Sequence, residues 1–172
     1  MNELVIRPLD ASDSIEALTH LLHRAYAALA VMGLNYTAID QLPDVTARRV
    51  ADGQCFVAAL GVRIAGTVTV SGPYERAKTA WAHATEWFFR ADTAHFHQLG
   101  VEPELQGQRI GQRLVAHCEE WARSQGFRHM ALDTAVPAHH LRARYARLGY
   151  RDVDEVQWKG KVYRSVIMAK EL

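Results

Sequence analysis

Apolar positions along the chain change period several times, and each change marks an element. Leu4-Val5-Ile6-Arg7-Pro8 is a short β-branched run stopped by proline, which predicts a first strand. Behind Ser12 and Ser14, either of which can cap a helix, Ile15, Leu18, Leu22, Ala25 and Leu29 recur at helical spacing as far as Gly33. An irregular link beginning at Asn35-Tyr36 leads to a second helix, predicted from Val45 to Ala51 with Asp44 as its cap and Gly53 at its close. The runs Cys55 to Ala59 and Ile64 to Val70 flank the short Gly61 loop, the pattern of an antiparallel hairpin, and Pro73 ends it.

Between Tyr74 and Asp92 two periods overlap. Tyr74, Ala77, Trp81, Ala84 and Phe88 suit a helix while Thr85, Trp87 and Phe89 suit a strand, so the stretch 73–92 is left unassigned. Ala94 to Val101 then reads as a strand ending before Pro103. Ile110, Leu114, Val115, Cys118, Trp121 and Ala122 mark an amphipathic helix that stops before Gly126. Phe127 to Thr134 predicts another strand and Ala138 to Leu148 a helix stopped by Gly149. Tyr150 to Trp158 and Val162 to Ala169 predict a hairpin around Lys159-Gly160. The fold class is α/β (α+β): a mixed sheet of about seven strands with about four helices, antiparallel at both ends and βαβα in the middle.

Composition narrows the function classes. The 172 residues predict one domain over 1–172, with neither linker nor internal repeat. Lys and Arg total 20 against 19 Asp and Glu, a formal charge of +1 that disfavours a nucleic-acid partner. No apolar run reaches the ~18 residues of a membrane span, and Met1-Asn2-Glu3-Leu4 lacks the basic and apolar regions of a signal peptide, so no membrane partner and a cytoplasmic location are expected. Cys55 and Cys118 fall in apolar segments without CxxC spacing and are expected as reduced core residues. The surplus is in histidine, nine in all, whose charge changes near neutral pH.

Between the central strand and the amphipathic helix lies Gln106-Gly107-Gln108-Arg109-Ile110-Gly111. A helix start carries unpaired N–H groups, and glycine there lets a phosphate approach the main chain. A tight turn of small residues would read the same way. G-x-G-x-x-G and Gly-Lys-Ser/Thr are both absent, which disfavours nicotinamide and ATP. The segment Leu99-Gly100-Val101-Glu102-Pro103-Glu104-Leu105 and its continuation through Gln112-Arg113-Leu114 resembles the acyl-CoA signature Q/R-x-x-G-x-G/A of the GNAT superfamily of N-acetyltransferases. Tyr145-Ala146-Arg147-Leu148-Gly149-Tyr150 resembles that family's Tyr-x-x-x-Gly-Phe/Tyr segment, and the element order agrees over essentially the whole chain. Arg109 departs from the pattern, standing at its first glycine.

The resemblance implies an acyl-CoA N-acyltransferase fold with splayed central parallel strands and acetyl-CoA entering between the strands Ala94–Val101 and Phe127–Thr134. It implies binding of that cosubstrate through Leu99, Val101, Gln106, Gly107, Gln108, Arg109, Ile110, Gly111 and Gln112, with the Val101 N–H polarising the thioester. It places Tyr145 as general acid. His95-Phe96-His97 resembles the strand of arylalkylamine N-acetyltransferases that relays the amine proton, so His95 and His97 are the candidate bases. Residues i and i+2 of a strand share a face roughly 6.5 Å apart. A metal held by His95, His97 and His83 or Glu86 is the minor alternative, and no metal is expected.

The acceptor site is expected from Gly33-Leu34-Asn35-Tyr36 and the stretch Tyr74–Phe89, with Tyr36, Tyr74, Trp81 and Trp87 as an aromatic pocket if they converge. Arg142, Arg144 and Arg147 are candidates for the CoA 3′-phosphate or a solvated face. The expected function is acetyl transfer to a primary amine of a small molecule. A non-catalytic acyl-CoA-binding module, a protein N-acetyltransferase and a metal hydrolase stand as rivals. The C-terminal hairpin Val153–Ala169 offers an edge for a homodimer.

Overall fold

The computed structural model describes residues 3–172. Its strands are β1 Leu4–Pro8, β2 Gln54–Leu60, β3 Arg63–Ser71, β4 Thr93–Val101, β5 His129–Ala135, β6 Arg151–Val156 and β7 Ser165–Glu171. Its helices are α1 Ile15–Val31, α2 Pro43–Ala51, α3 Ile110–Ser124 and α4 His139–Arg147. Among the described residues the strands form one mixed sheet in the order β1-β2-β3-β4-β5-β7-β6, the expected class. The residues group into two compact units, each drawing on two stretches of chain: Met1–Val70 with His97–Cys118, and Ser71–Phe96 with Glu119–Leu172.

In the first unit, β1 pairs antiparallel with β2 from Leu4↔Leu60 to Pro8↔Phe56. β2 turns into β3 through Gly61-Val62, with Gly61 at φ 61°, the left-handed backbone a two-residue hairpin needs. Ser14 rather than Ser12 caps α1, its hydroxyl accepting from the Ala17 amide at 3.1 Å, a contact worth about 1 kcal/mol. Leu18, Leu21, Leu22 and Leu29 turn inward from that helix, and Leu18 packs with Cys55 and Val57. α2 departs from expectation. It starts at Pro43, whose fixed φ suits the first helical position, and Asp44 lies in the first turn without capping anything.

In the second unit, β4 runs parallel to β5 from Thr93↔His129 to His95↔Ala131. β5 is antiparallel to β7 along its whole length, His129↔Glu171 to Ala135↔Ser165, and β6 lies outside β7 with a register shift between Asp152 and Asp154. β5 begins two residues later than expected, because the Phe127 amide bonds Ala122 O at the end of α3 and the Arg128 amide bonds Asp92 O. The C-terminal hairpin has a longer connection than expected. Gln157 Nε2 bonds Lys161 O at 2.9 Å and Trp158 turns inward, so residues 157–164 form a loop instead of strand ends.

The unassigned stretch 73–92 is neither helix nor strand but two 3-10 turns, Ala80–Ala82 and Trp87–Phe89, in an otherwise irregular path. It is tied at both ends and in the middle: Tyr74 N bonds Phe88 O at 2.8 Å, and Thr85 Oγ1 donates to Asp154 Oδ2 at 2.7 Å. Phe88 packs with Ala131, Val156, Trp158, Ile167 and Ala169, and Tyr74 and Trp87 border that cluster. The two overlapping periods in the sequence reflect aromatic side chains turning inward from irregular backbone.

Candidate functional site

In the first unit the chain leaves β4 at Val101. The next amide, of Glu102, bonds Ala65 O at 2.9 Å on β3. The Glu102 carboxylate is buried and gripped by Arg24 of α1 through Nε at 3.0 Å and a terminal nitrogen at 2.6 Å. Gly66 of β3 allows the strands to close, since a Cβ there would lie 2.9 Å from Gly100 O. Pro103–Leu105 then make a 3-10 turn, Gln106 is extended, and the backbone is left-handed at Gly107 (φ 81°) and at Arg109 (φ 62°) before α3 begins at Ile110. Arg109 therefore adopts the conformation of the glycine it replaces in the motif, at a cost on the order of 1 kcal/mol.

The turn is open to a ligand. A Cβ on Gly107 would meet nothing within 4 Å, and Gln106, Gly107, Gln108, Arg109 and Gln112 are exposed while Ile110 is buried and pins the turn. The bond from Arg113 N to Arg109 O opens the helix, so the amides of Ile110, Gly111 and Gln112 precede the first i→i−4 pairing. Main-chain amides, a helix start and one guanidinium form a donor set that fits the diphosphate of acetyl-CoA. Leu99 and Val101 are half-buried on the strand leading into the turn.

Just upstream, Gln98 sits in left-handed backbone (φ 55°) within β4. Its amide oxygen accepts from Gln41 Nε2 at 2.7 Å, and Gln41 also donates to Thr46 Oγ1, which meets Thr19 Oγ1 at 2.7 Å. This buried polar network connects the strand to α1 and α2. His97, the residue before Gln98, is half-buried.

The second unit holds His95 and Tyr145. His95 is 3% exposed, with the rings of Tyr74 and Phe88 at 4.1 and 5.1 Å between centroids, and burial pushes its imidazole down from 6.5 to about 4. It is therefore neutral at pH 7. Tyr145 is also buried, between Phe96 and Tyr150 at 6.0 and 6.2 Å. Gly149 (φ 96°) ends α4 and lets the Tyr150 amide bond Tyr145 O at 3.1 Å. That places Tyr150 inward, its hydroxyl on Glu119 at 2.9 Å, while Lys170 Nζ binds the same carboxylate.

The residues expected to form an aromatic pocket have the following neighbours within their own units. In the second unit Tyr74 and Trp81 meet at 5.4 Å and Trp87 lies near His129 beneath the Arg90 guanidinium; in the first, Tyr36 packs on Tyr26. Trp158, not singled out by the sequence, joins Trp81 at 5.6 Å and donates from Nε1 to Asp133 at 2.9 Å. An aspartate directly after the apolar run Met130-Ala131-Leu132 was the available signal. Arg142 is committed to Asp152 and Val136 O, leaving Arg144 and Arg147 exposed. His83 contacts Arg76 O at 2.9 Å and Glu86 pairs with Arg76; among the described residues no group of three or more His, Cys, Asp or Glu is placed to hold a metal ion.

Comparison with known proteins bears on the family and the fold. The chain is 26% identical over 159 residues to the S-(2-succino)cysteine N-acetyltransferase of Bacillus subtilis (strain 168), covering 91% of this chain and 90% of the relative. Its fold matches a GNAT family acetyltransferase from Elizabethkingia anophelis with acetyl-CoA bound, at a TM-score of 0.70 and 16% identity over the full length of both chains. It also matches the ribosomal-protein-S18-alanine N-acetyltransferase of Escherichia coli, at 0.72 and 17% identity over 98% of this chain and 94% of the other. The family described as Acetyltransferase (GNAT) family matches residues 15–150, and the chain belongs to it.

Proposed function

We propose that this protein transfers the acetyl group of acetyl-CoA to a primary amine of a small molecule. The observation that carries the reading is the open left-handed turn Gly107–Arg109 at the head of α3, a donor set for a diphosphate in a chain of the acetyltransferase family. Bound there, acetyl-CoA supplies a thioester carbonyl and a thiolate leaving group. The first unit contributes the amides from Gly107 to Gln112 and the Arg109 guanidinium, which hold the diphosphate, while the Gln106 amide is taken up by Pro103 O. The Val101 N–H donates to the carbonyl oxygen, a contact of a kind worth about 3 kcal/mol in acyl transfer.

Two protons must move. An alkylammonium of pKa near ~10 has to lose one before it attacks, and Tyr145, a phenol protonated at neutral pH, gives one to the departing sulfur. His97, half-buried, is the better placed of the two strand histidines to exchange a proton with solvent, while His95 is held neutral by burial. A small-molecule acceptor is favoured by the relative at 26% identity, which acts on a cysteine derivative.

The test is thiol release from acetyl-CoA across aliphatic amines, arylalkylamines, amino acids, aminoglycosides and peptides. Tyr145→Phe should lower turnover about 100-fold while acetyl-CoA binding, followed by calorimetry, is retained. Acetyl-CoA binding with no amine acetylated would instead favour a binding module. Acetylated proteins found by mass spectrometry without any small-amine turnover would favour a protein acceptor.

A further inference from the structure

Within the first unit, the face of β4 that carries Gly100 and Glu102 is turned towards α1. A Cβ on Gly100 would lie 3.1 Å from Leu22 Cδ2 and 3.2 Å from Ala25 Cβ, and the Glu102 carboxylate accepts from two nitrogens of Arg24 at 3.0 and 2.6 Å. Val101 stands on the opposite face, its Cγ2 3.6 Å from where a Cβ on Gly111 of α3 would lie. The N–H and C=O groups of successive strand residues point to alternate edges. Because the Glu102 N–H points at Ala65 O on β3, the Val101 N–H and C=O point away from β3. On that edge the Val101 carbonyl accepts from Gln106 Nε2 at 3.3 Å, which ties it to the turn before α3.

What fixes the direction of the Val101 amide is therefore the residue on either side of it. Upstream, the left-handed backbone at Gln98 (φ 55°) turns the segment 99–102 away from the line of the earlier strand, so that this short piece needs an anchor of its own. Downstream, the Glu102 side chain is only 6% exposed and its charge is met by Arg24. A carboxylate buried to that degree is costly to desolvate, and an apolar pair of similar volume often holds two elements together as firmly. A guanidinium fork does what an apolar pair cannot: two bonds to one carboxylate set an angle as well as a distance. The pair thus fixes the orientation of residue 102 against α1, and with it the peptide that precedes it.

We propose that Arg24 is a positioning residue for acyl transfer: through Glu102 it holds the Val101 N–H in line for the thioester carbonyl of acetyl-CoA. This rests on the reading that Val101 donates to that carbonyl, and it names the side chain that aims the donor. Arg24 acts through Glu102 and the backbone, not on the substrate. Its role is one of angle, so the fold survives replacement of both charges by apolar groups while the alignment of the donor does not.

The test uses the full chain with acetyl-CoA isotope-labelled at the acetyl carbonyl. A hydrogen bond to the thioester oxygen lowers its stretching frequency, so isotope-edited infrared spectra read the Val101 contact without turnover. Two variants are compared with the native protein: Arg24→Lys, which keeps the charge and loses the fork, and the double variant Arg24→Met with Glu102→Leu, which leaves no buried charge unpaired. The native protein should lower the frequency. Both variants should return it towards that of free acetyl-CoA and reduce kcat about 100-fold, with the Kd for CoA, measured by calorimetry, unchanged within about twofold. A native frequency in the double variant overturns the proposal, because the pair then serves stability alone. So does an unshifted frequency in the native protein, or a CoA affinity that falls as far as kcat, which would mean that the turn before α3 had moved with the strand. Should the double variant not fold, a native frequency in Arg24→Lys overturns the proposal and a raised one supports it. A frequency that depends on Arg24 in a protein that acetylates no amine supports the positioning role and refutes the acetyl-transfer reading.

Discussion

The burial of His95 makes the stability of the protein depend on pH in a way that one substitution should remove. In the unfolded chain the imidazole titrates near 6.5, whereas in the folded protein burial against Tyr74 and Phe88 brings it down to about 4. Between those two values the unfolded state holds the extra proton. Acidification therefore favours unfolding, and the contribution of the neutral buried ring is present above pH 6.5 and lost as pH falls towards 4.

From pH 7.5 to pH 5.0 the linkage relation with these two values gives a loss of about 2 kcal/mol from this one residue. Urea unfolding at the two pH values measures it in the native protein and in His95→Leu. The variant's absolute stability changes because ring contacts are lost, but the other eight histidines remain in both proteins, so the difference between the two pH-dependent losses isolates residue 95. Asp92, held at about 2 by Arg90 and Thr93, titrates below this window. The native protein should lose about 2 kcal/mol more than the variant. Equal losses would refute the claim that His95 is buried in its neutral form.

Two further substitutions test the cradle. Arg109→Gly replaces a left-handed arginine with the residue that adopts φ 62° without strain, so the melting temperature should rise by about 2–4 °C per kcal/mol recovered. If the guanidinium also contacts the diphosphate, the same variant should bind acetyl-CoA more weakly at low salt, with the gap closing at high salt; an unchanged or lower melting temperature would contradict the strain argument. Gly66→Ala places a methyl 2.9 Å from Gly100 O and 3.2 Å from Leu114 Cδ1, so thermal unfolding should show a loss of about 1–3 kcal/mol.

The parts of the fold that a single period defines were legible in the sequence. α1 and α3 announce themselves by apolar spacing, and the hairpin of β2 and β3 by two apolar runs about Gly61. The turn before α3 was legible for a related reason: it is continuous in sequence, and the left-handed conformation at residue 107 is written as glycine, with Arg109 as the exception. What stayed hidden depends on convergence. The stretch 73–92 has no regular backbone because its side chains serve a sheet face, and Thr85 finds its partner Asp154 only after β6 has formed. Asp44 was read as a cap because aspartate is favoured there, but Pro43 had already fixed the start of the helix.

Tyr74, Trp81, Asp133 and Trp158 are spread over 85 residues and share no motif, yet contacts of 5.4, 5.6 and 2.9 Å put them in series on one sheet face. A diphosphate can be held by backbone amides, so a turn of this kind tolerates side-chain changes wherever its left-handed geometry survives, whereas an acceptor amine can be distinguished only by side chains. Side chains that select an acceptor come from separate stretches of chain, and for that reason they are the part of such a site that a sequence shows last.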